Sequence, residues 1–243
     1  MVSNQCESNY ATISGKIVSC PVFSHDVYGE GFYYFFVDVK RLSDSFDRIP
    51  VMISERLVSP EECSIGRNIM IDGQFRSYNQ NTSSKSKLML MVFARDVVLD
   101  YVAQDECFDD TVEKEGEVEE TPNDKNYIEL CGFICKPPIY RKTPFNREIA
   151  DLLLAVNRSY NKSDYIPCIS WGRNARYCSR RAVGDKVKVI GRIQSRIYQK
   201  KLPDGNVEDR VAYEVSVIRL ELLQAFEQTK TSYDEVEAVS KLF

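Results

Sequence analysis

The sequence contains one histidine, His25, among 243 residues, and none of its eight cysteines forms a CxxC pair. Structural zinc sites and histidine-based catalytic clusters need such residues at close spacing. A glycine-rich phosphate loop and a paired nucleophile and base are also missing. We therefore predict a protein that is not an enzyme, uses no metal and no cofactor, and keeps its cysteines as reduced thiols.

Long apolar runs are absent as well. No stretch approaches the roughly 18 residues that a membrane-spanning helix needs, and the start, "MVSNQCESNY", lacks the basic and apolar regions of a signal peptide. With 43% hydrophobic and 11% aromatic residues the chain can still bury substantial cores, and its length suits two small domains. These features predict a folded, soluble and cytosolic protein.

The formal net charge of −4 is divided unevenly along the chain. Residues 1–104 carry 10 basic and 12 acidic side chains, whereas residues 105–125 carry 2 and 10. Residues 126–224 then carry 18 and 10, and residues 225–243 carry 2 and 4. An acidic linker thus precedes a basic region. Such an excess is often only a solvated surface, but it is also what a domain that meets a polyanion needs.

The two halves of the chain have similar sequences. "SGKIVSCPVF" at 14–23 resembles "CGFICKPPIY" at 131–140, and "IGRNIMIDGQFRS" at 65–77 resembles "VGDKVKVIGRIQS" at 183–195. The separation of matching glycines and prolines stays at 117 or 118 residues throughout. This constant spacing predicts one fold that is present twice, with the acidic linker between the copies.

Each copy consists mostly of predicted strands, and a short helix is expected at "RNARYCSRRA" (173–182), where the alternation stops. In the second copy the strands are Tyr127–Cys135, Ile149–Asn157, Asp164–Trp171, Lys186–Tyr198 and Asp209–Leu220, with a hairpin turn at "LPDG" (202–205). Five strands with a helix between the third and fourth follow the order of the Greek-key OB barrel. The predicted fold class is therefore mainly all-β, with two five-stranded OB barrels at 1–104 and 126–224.

The stretch "SDYIPCISWGRNARYCSR" raises the question of function. Period-two alternation puts Tyr165 and Trp171, the only tryptophan, on the same face of a strand, and arginines follow directly behind them. From the pattern alone, this face is either a buried wall of the core or a platform for a flat, negatively charged ligand.

Four stretches resemble, in order and spacing, the bacterial single-stranded DNA-binding proteins: "ADLLLAVNRSY", "SDYIPCISWGR", "VGDKVKVIGRIQSRIYQKK" and "YEVSVIRLELL". The resemblance runs from Asn126 to Leu223, whereas the N-terminal copy shares only the fold-level pattern. It implies sequence-independent binding of single-stranded DNA in replication, repair or recombination, in the cytoplasm and on the nucleoid. An alternative is an interaction module that docks a protein, such as an accessory primosome or mobile-element factor.

The resemblance places base-stacking aromatics at Tyr160, Tyr165, Trp171 and Tyr198. Stacking binds any sequence, because every base has a π-face. The candidates for phosphate contacts are the neighbouring cations Arg141, Lys142, Arg158, Lys162, Arg173, Arg192, Arg196, Lys200 and Lys201. The alternative for each aromatic is packing in the core or at a subunit contact.

At the 117-residue offset, three of the stacking positions fall on Ser43, Arg48 and Ser54 in the N-terminal copy. None of these residues is aromatic. Acidic side chains also outnumber basic ones in the N-terminal copy, whereas basic side chains outnumber acidic ones in the C-terminal copy. We therefore predict that the C-terminal copy does most of the DNA binding, while the N-terminal copy has a degenerate stacking face.

The resemblance also implies an assembly of four OB folds, which a homodimer of chains with two folds each would supply. The family's acidic C-terminal tip, an Asp run that ends in Pro-Phe, has no counterpart in "SYDEVEAVSKLF". We therefore do not expect the tail, 225–243, to recruit replication or repair proteins. Its apolar spacing predicts an amphipathic helix instead.

Overall fold

A computed structural model of the chain describes residues 8–41, 43, 45–82, 85–101, 125–201 and 205–226, with all side chains except those of 79–82 and 85–88. The acidic linker up to residue 124, most of the predicted turn at 202–205, and the predicted helical tail beyond residue 226 lie outside these residues. The predictions made for those segments therefore stay predictions.

Six strands form from each half of the described chain. In the first half they are β1 (Asn9–Ile17), β2 (Val22–Val27), β3 (Glu30–Lys40), β4 (Phe46–Ser54), β5 (Asn68–Thr82) and β6 (Lys85–Leu99). In the second half they are β7 (Asn126–Ile134), β8 (Ile139–Lys142), β9 (Glu148–Arg158), β10 (Lys162–Trp171), β11 (Lys186–Lys201) and β12 (Val207–Gln224). All five strands predicted for the second copy are present, within three residues at most boundaries.

The strands of the described residues are hydrogen-bonded in the order β2-β3-β4-β6-β5-β1-β7-β11-β12-β10-β9-β8. Two further pairings, β1 with β3 and β7 with β9, close a barrel of five strands in each half. One contact in each barrel is parallel, β4 with β6 and β10 with β12. This pairing matches the predicted all-β OB fold. The additional strands β2 and β8 were not predicted.

A helix lies between the third and fourth barrel strands of each half, as predicted, but the two helices differ. In the second half it is α1 (Gly172–Cys178), one residue earlier at its start than expected and four residues shorter at its end. In the first half the same place holds a 3-10 helix of three residues, Pro60–Glu62. Within the part of the chain that the structure describes, no helix is long and apolar enough to cross a membrane.

The glycines that mark the repeat occupy equivalent places in the two barrels. Gly73 and Gly191 each follow a break in the register of a hairpin, where the neighbouring strand comes very close. A Cβ atom would lie 2.1 Å from the carbonyl oxygen of Phe93 at the first site and 2.3 Å from that of Ser216 at the second. Only a glycine fits there without a backbone shift. The repeated glycines therefore reflect the closure of each barrel.

The two barrels are joined edge to edge. Residues Asn9–Ile13 of β1 pair antiparallel with Asn126–Leu130 of β7, so one sheet continues through both halves. Inward-facing aliphatic side chains of the two halves belong to one cluster of buried residues. The division into domains at 1–104 and 126–224 stays a prediction, because the sheet does not stop between them.

Two buried aspartates fasten each half to a hairpin of the other. The Ser195 N–H of β11 donates to Asp47 Oδ1 of β4 at 2.7 Å. On the opposite side, the Ser77 N–H of β5 donates to Asp164 Oδ1 of β10 at 2.9 Å. Asp47 and Asp164 are 117 residues apart and Ser77 and Ser195 are 118 apart, which is the offset of the sequence repeat. The contact between the halves thus has approximate two-fold symmetry.

Candidate nucleic-acid interface

The outer face of β10 carries two exposed aromatic side chains. Tyr165 is 48% exposed and Trp171 is 41% exposed, whereas Ile166, Cys168 and Ser170 between them are buried toward the barrel. Tyr165 and Trp171 are six residues apart along the strand, which corresponds to about 20 Å between their Cα atoms, so their rings are separate contact points for a ligand. These two rings are therefore not part of a buried wall of the core, and their role as a stacking platform stays a prediction.

Tyr160 projects from the turn between β9 and β10. The strands still pair at Arg158 and Lys162, so the turn has three residues, and both Tyr160 and Asn161 have positive φ, at 63° and 54°. The left-handed conformation is unusual for a tyrosine, and the side chain is 94% exposed. The ring has a wide solvent-facing surface on which another ring can stack.

Tyr198 lies on the arm formed by the outer parts of β11 and β12, opposite Arg210. The Arg196 guanidinium lies 5.9 Å from the centre of the Tyr198 ring, and Arg196 also approaches Glu214 at 3.6 Å. Lys200 and Lys201 follow on the same exposed arm. The arm therefore combines one half-exposed aromatic with a series of cations.

A groove of about 610 Å³ runs beside Trp171. Its cations come from the end of β8, the β8–β9 turn and α1, namely Lys142, Arg147 and Arg176. One acidic residue, Glu148, lies among the described lining side chains. The Arg176 Nε donates to Glu148 at 2.6 Å, and this hydrogen bond is the main reason why the pKa of Glu148 is lowered. The groove stays positively charged at neutral pH.

Sequence reasoning missed three residues of this region: Phe145, Arg147 and Arg176. Phe145 is almost fully exposed at the tip of the β8–β9 turn. The signal that was available is the stretch "RKTPFNRE", in which an aromatic lies between basic residues. Arg176 lies on α1 and reaches the groove only because the helix packs next to β9.

The predicted cations fall into different surroundings. Arg158 and Lys162 lie beside Tyr160, with Arg158 at 3.6 Å from Asp164, and Lys142 lines the groove beside Trp171. Arg141 donates to Asp151 at 2.8 Å, so its charge is largely compensated. Arg196 lies 5.9 Å from the Tyr198 ring centre. The remaining predicted cations lie on α1 and β11: Arg173, Arg192, Lys200 and Lys201.

The model of the "Single-strand binding protein family" matches residues 125–223. Among curated proteins, single-stranded DNA-binding protein B of Bacillus subtilis is 35% identical over 86 residues, which are 31% of this chain and 74% of that protein. The chain belongs to the single-strand binding protein family. Single-stranded DNA-binding protein 1 of Lactococcus lactis is 29% identical over 113 residues, 44% of this chain and 71% of that protein.

A solved single-stranded DNA binding protein resembles both halves of the chain together. The wild-type single-stranded DNA binding protein from Thermus aquaticus superimposes with a TM-score of 0.63 at 17% identity, over 90% of this chain and 95% of that one. At this identity the likeness shows the fold. It spans both halves, including the N-terminal half, which the family model does not cover.

The N-terminal half presents a different surface at the positions that correspond to the predicted stacking residues. Arg48 and Ser54 occupy the places of Tyr165 and Trp171. The strand pairing agrees with this correspondence, because Ser54 pairs with Phe32 and Trp171 pairs with Ile149, each 117 residues further along the chain. Arg48 donates to Asp38 through two nitrogens at 2.8 Å, and Ser54 donates to Glu30. These side chains are engaged in local hydrogen bonds.

Three cysteines of the described residues are buried. Cys168 and Cys178 are buried in the C-terminal half, and burial raises the pKa of both thiols. Cys63 of the N-terminal half is also buried, which raises its pKa to about 11. These cysteines are protonated packing residues, whereas Cys20 is exposed. The described residues contain no group of three His, Cys, Asp or Glu side chains that could hold a metal ion.

Proposed function

We propose that the protein binds single-stranded DNA independently of sequence, by stacking bases on the C-terminal barrel. The observation that supports this proposal is that Tyr165 and Trp171 are both exposed on the outer face of β10, whereas Ile166, Cys168 and Ser170 between them are buried. Tyr160 and Tyr198 extend this surface to both sides, onto a turn and onto the β11–β12 arm. Each stacked base contributes about 1–3 kcal/mol without regard to its identity.

Cations around these rings are the proposed partners of the phosphates. Beside Trp171 these cations are Lys142, Arg147 and Arg176. Beside Tyr160 they are Arg158 and Lys162. On the β11–β12 arm, near Tyr198, they are Arg196, Lys200 and Lys201. Arg173 and Arg192 are retained as candidates because they lie on the same basic half, whereas Arg141 is the weakest candidate because Asp151 already compensates its charge. Phosphate contacts of this kind position the strand without reading sequence.

The family relationship favours DNA binding over the alternative of a docking module. We propose that the protein acts by binding rather than by catalysis, on single-stranded DNA exposed in replication, repair or recombination. Its proposed place is the cytoplasm, on the nucleoid.

The first prediction is that oligo-dT quenches the fluorescence of Trp171, the single tryptophan, and that binding weakens with salt. A base stacked on the indole changes its surroundings directly. Each phosphate contact should contribute about −0.7 to the slope of log K against log salt concentration. Titration with oligo-dT in a series of NaCl concentrations measures both quantities. Absent or salt-insensitive binding would instead support the docking alternative.

We also propose that two chains associate as a homodimer with four OB folds. A set of aliphatic side chains on β11 and β12 is exposed in the single chain, which supports an association surface: Ile197, Val207, Val211, Ile218 and Leu223. The second prediction is a mass of about twice 28.0 kDa in light scattering at micromolar concentration. A mass of one chain under these conditions would contradict it.

A further inference from the structure

A cavity of about 550 Å³ lies at the contact between the two halves. Arg76 of β5 and Arg95 of β6 reach it from the N-terminal half, and Arg158, Tyr160 and Lys162 reach it from the C-terminal half. We call this space the junction cavity. The N-terminal half, which has lost the stacking aromatics, therefore contributes cations directly beside one of the proposed stacking residues.

The charge of the junction cavity is unbalanced. Its described lining residues include four cations and one carboxylate, Asp164. Asp164 is buried, and its Oδ1 already accepts the Ser77 N–H at 2.9 Å and lies 3.6 Å from Arg158. The pKa of Arg76 is lowered by burial first and then by the positive charges of Arg158 and Arg95. Cations crowded in this way are stabilised by an additional anion.

Arg76 is held in position by groups that do not neutralise it. Its Nε and Nη2 donate to the Gln74 Oε1 at 3.0 and 2.6 Å, and its guanidinium lies 4.9 Å from the centre of the Phe93 ring. An amide and an aromatic ring orient the charge but leave it intact. A fixed guanidinium loses little entropy when it binds the oxygens of a phosphate.

The equivalent position on the opposite side of the two-fold arrangement carries different residues. At the repeat offsets, Ser43 corresponds to Tyr160, Ser45 to Lys162, and Gln194 to Arg76. Arg41 is retained there, but it is bound to the buried Asp47 and to the Ser195 carbonyl oxygen. A cation cluster next to an exposed aromatic ring is thus found at one of the two junctions.

We propose that the junction cavity binds a backbone phosphate of the strand whose base stacks on Tyr160, and that Arg76 and Arg95 make the N-terminal half part of the DNA-binding surface. This inference rests on the proposed binding of single-stranded DNA. It adds a contact that the C-terminal half cannot make alone.

The test compares the full-length double variant Arg76→Gln/Arg95→Gln with Lys16→Gln. Lys16 is an exposed cation of the same half. It lies near the end of β1 that is remote from the cavity, whereas Asn9 at the start of β1 lines the cavity. Losing one phosphate contact should make the salt slope shallower by about 0.7 and weaken oligo-dT binding about fivefold in 0.1 M salt. Lys16→Gln should bind like the parent. The saturating quench of Trp171 should be unchanged in both variants.

Arg95→Gln alone, at an exposed position, is a second variant that should fold like the parent, and it should shift the slope in the same direction. If the parent protein binds oligo-dT but the arginine variants keep its slope and affinity, the inference is wrong and the proposed function stands. If the parent itself does not bind oligo-dT, the proposed function fails and the inference fails with it.

Discussion

Replacing Tyr165 and Trp171 together by alanine should weaken the binding of oligo-dT by at least about 30-fold. Each lost stack removes about 1–3 kcal/mol, and about 1.4 kcal/mol corresponds to a factor of ten. Both rings stand on the outer face of β10, so their removal creates no cavity in the core. Because the variant lacks tryptophan, the measurement is fluorescence anisotropy of a labelled oligonucleotide, and the single variants give the share of each ring.

Tyr28→Ala is the matched control for this experiment. Tyr28 is 99% exposed on the β2–β3 turn of the N-terminal half, where a stacking role is not predicted. We expect its affinity to equal that of the parent. A loss at Tyr28 as large as the loss at Tyr165 would contradict the prediction that the C-terminal half carries the stacking surface.

Asp47→Ala should lower the free energy of unfolding by about 3 kcal/mol, the lower end of the range for breaking a buried ion pair. Asp47 is 1% exposed and accepts hydrogen bonds from Arg41 at 2.8 and 2.5 Å and from the Ser195 N–H at 2.7 Å. Its removal leaves the N–H of Ser195 without this acceptor. In a chain of this size the melting temperature should fall by roughly 6–12 °C, which thermal unfolding followed by circular dichroism measures.

Asp38→Ala provides the control for this stability prediction. Asp38 binds Arg48 through two hydrogen bonds of 2.8 Å, but the Arg48 side chain is largely exposed. Exposed pairs contribute about 0–1 kcal/mol. Equal destabilisation by the two substitutions would show that the contact of Asp47 with the other half contributes nothing beyond an ordinary surface ion pair.

The sequence predicted the barrels because their strands are constrained locally. Buried strands alternate in polarity, and Gly73 and Gly191 mark the places where a neighbouring backbone comes too close for a Cβ atom. The strands β2 and β8 escaped prediction for the opposite reason. Most of their residues are exposed on both faces, so no alternation distinguishes them from loops.

The stacking surface was predictable in part. Tyr165 and Trp171 share one strand, so their common face follows from spacing alone. Arg76 and Arg95 were missed because they reach the junction cavity from another barrel, through a contact between residues 87 positions apart, Ser77 and Asp164. Periodicity carries no information about a contact of that range. Only the packing of the two halves brings those charges together.

The pairing of β1 with β7 has a consequence for the order of synthesis. After β6 is complete, 35 more residues, 100–134, must be made before β7 can cover the outer edge of β1. At about 5–20 residues per second this takes roughly 2–7 s. During this interval the growing chain presents an unpaired strand edge, and residues 126–134 of another copy can occupy it. Exchange of β7 between neighbouring nascent chains is therefore a hazard that arises on the ribosome and ends when the second barrel closes.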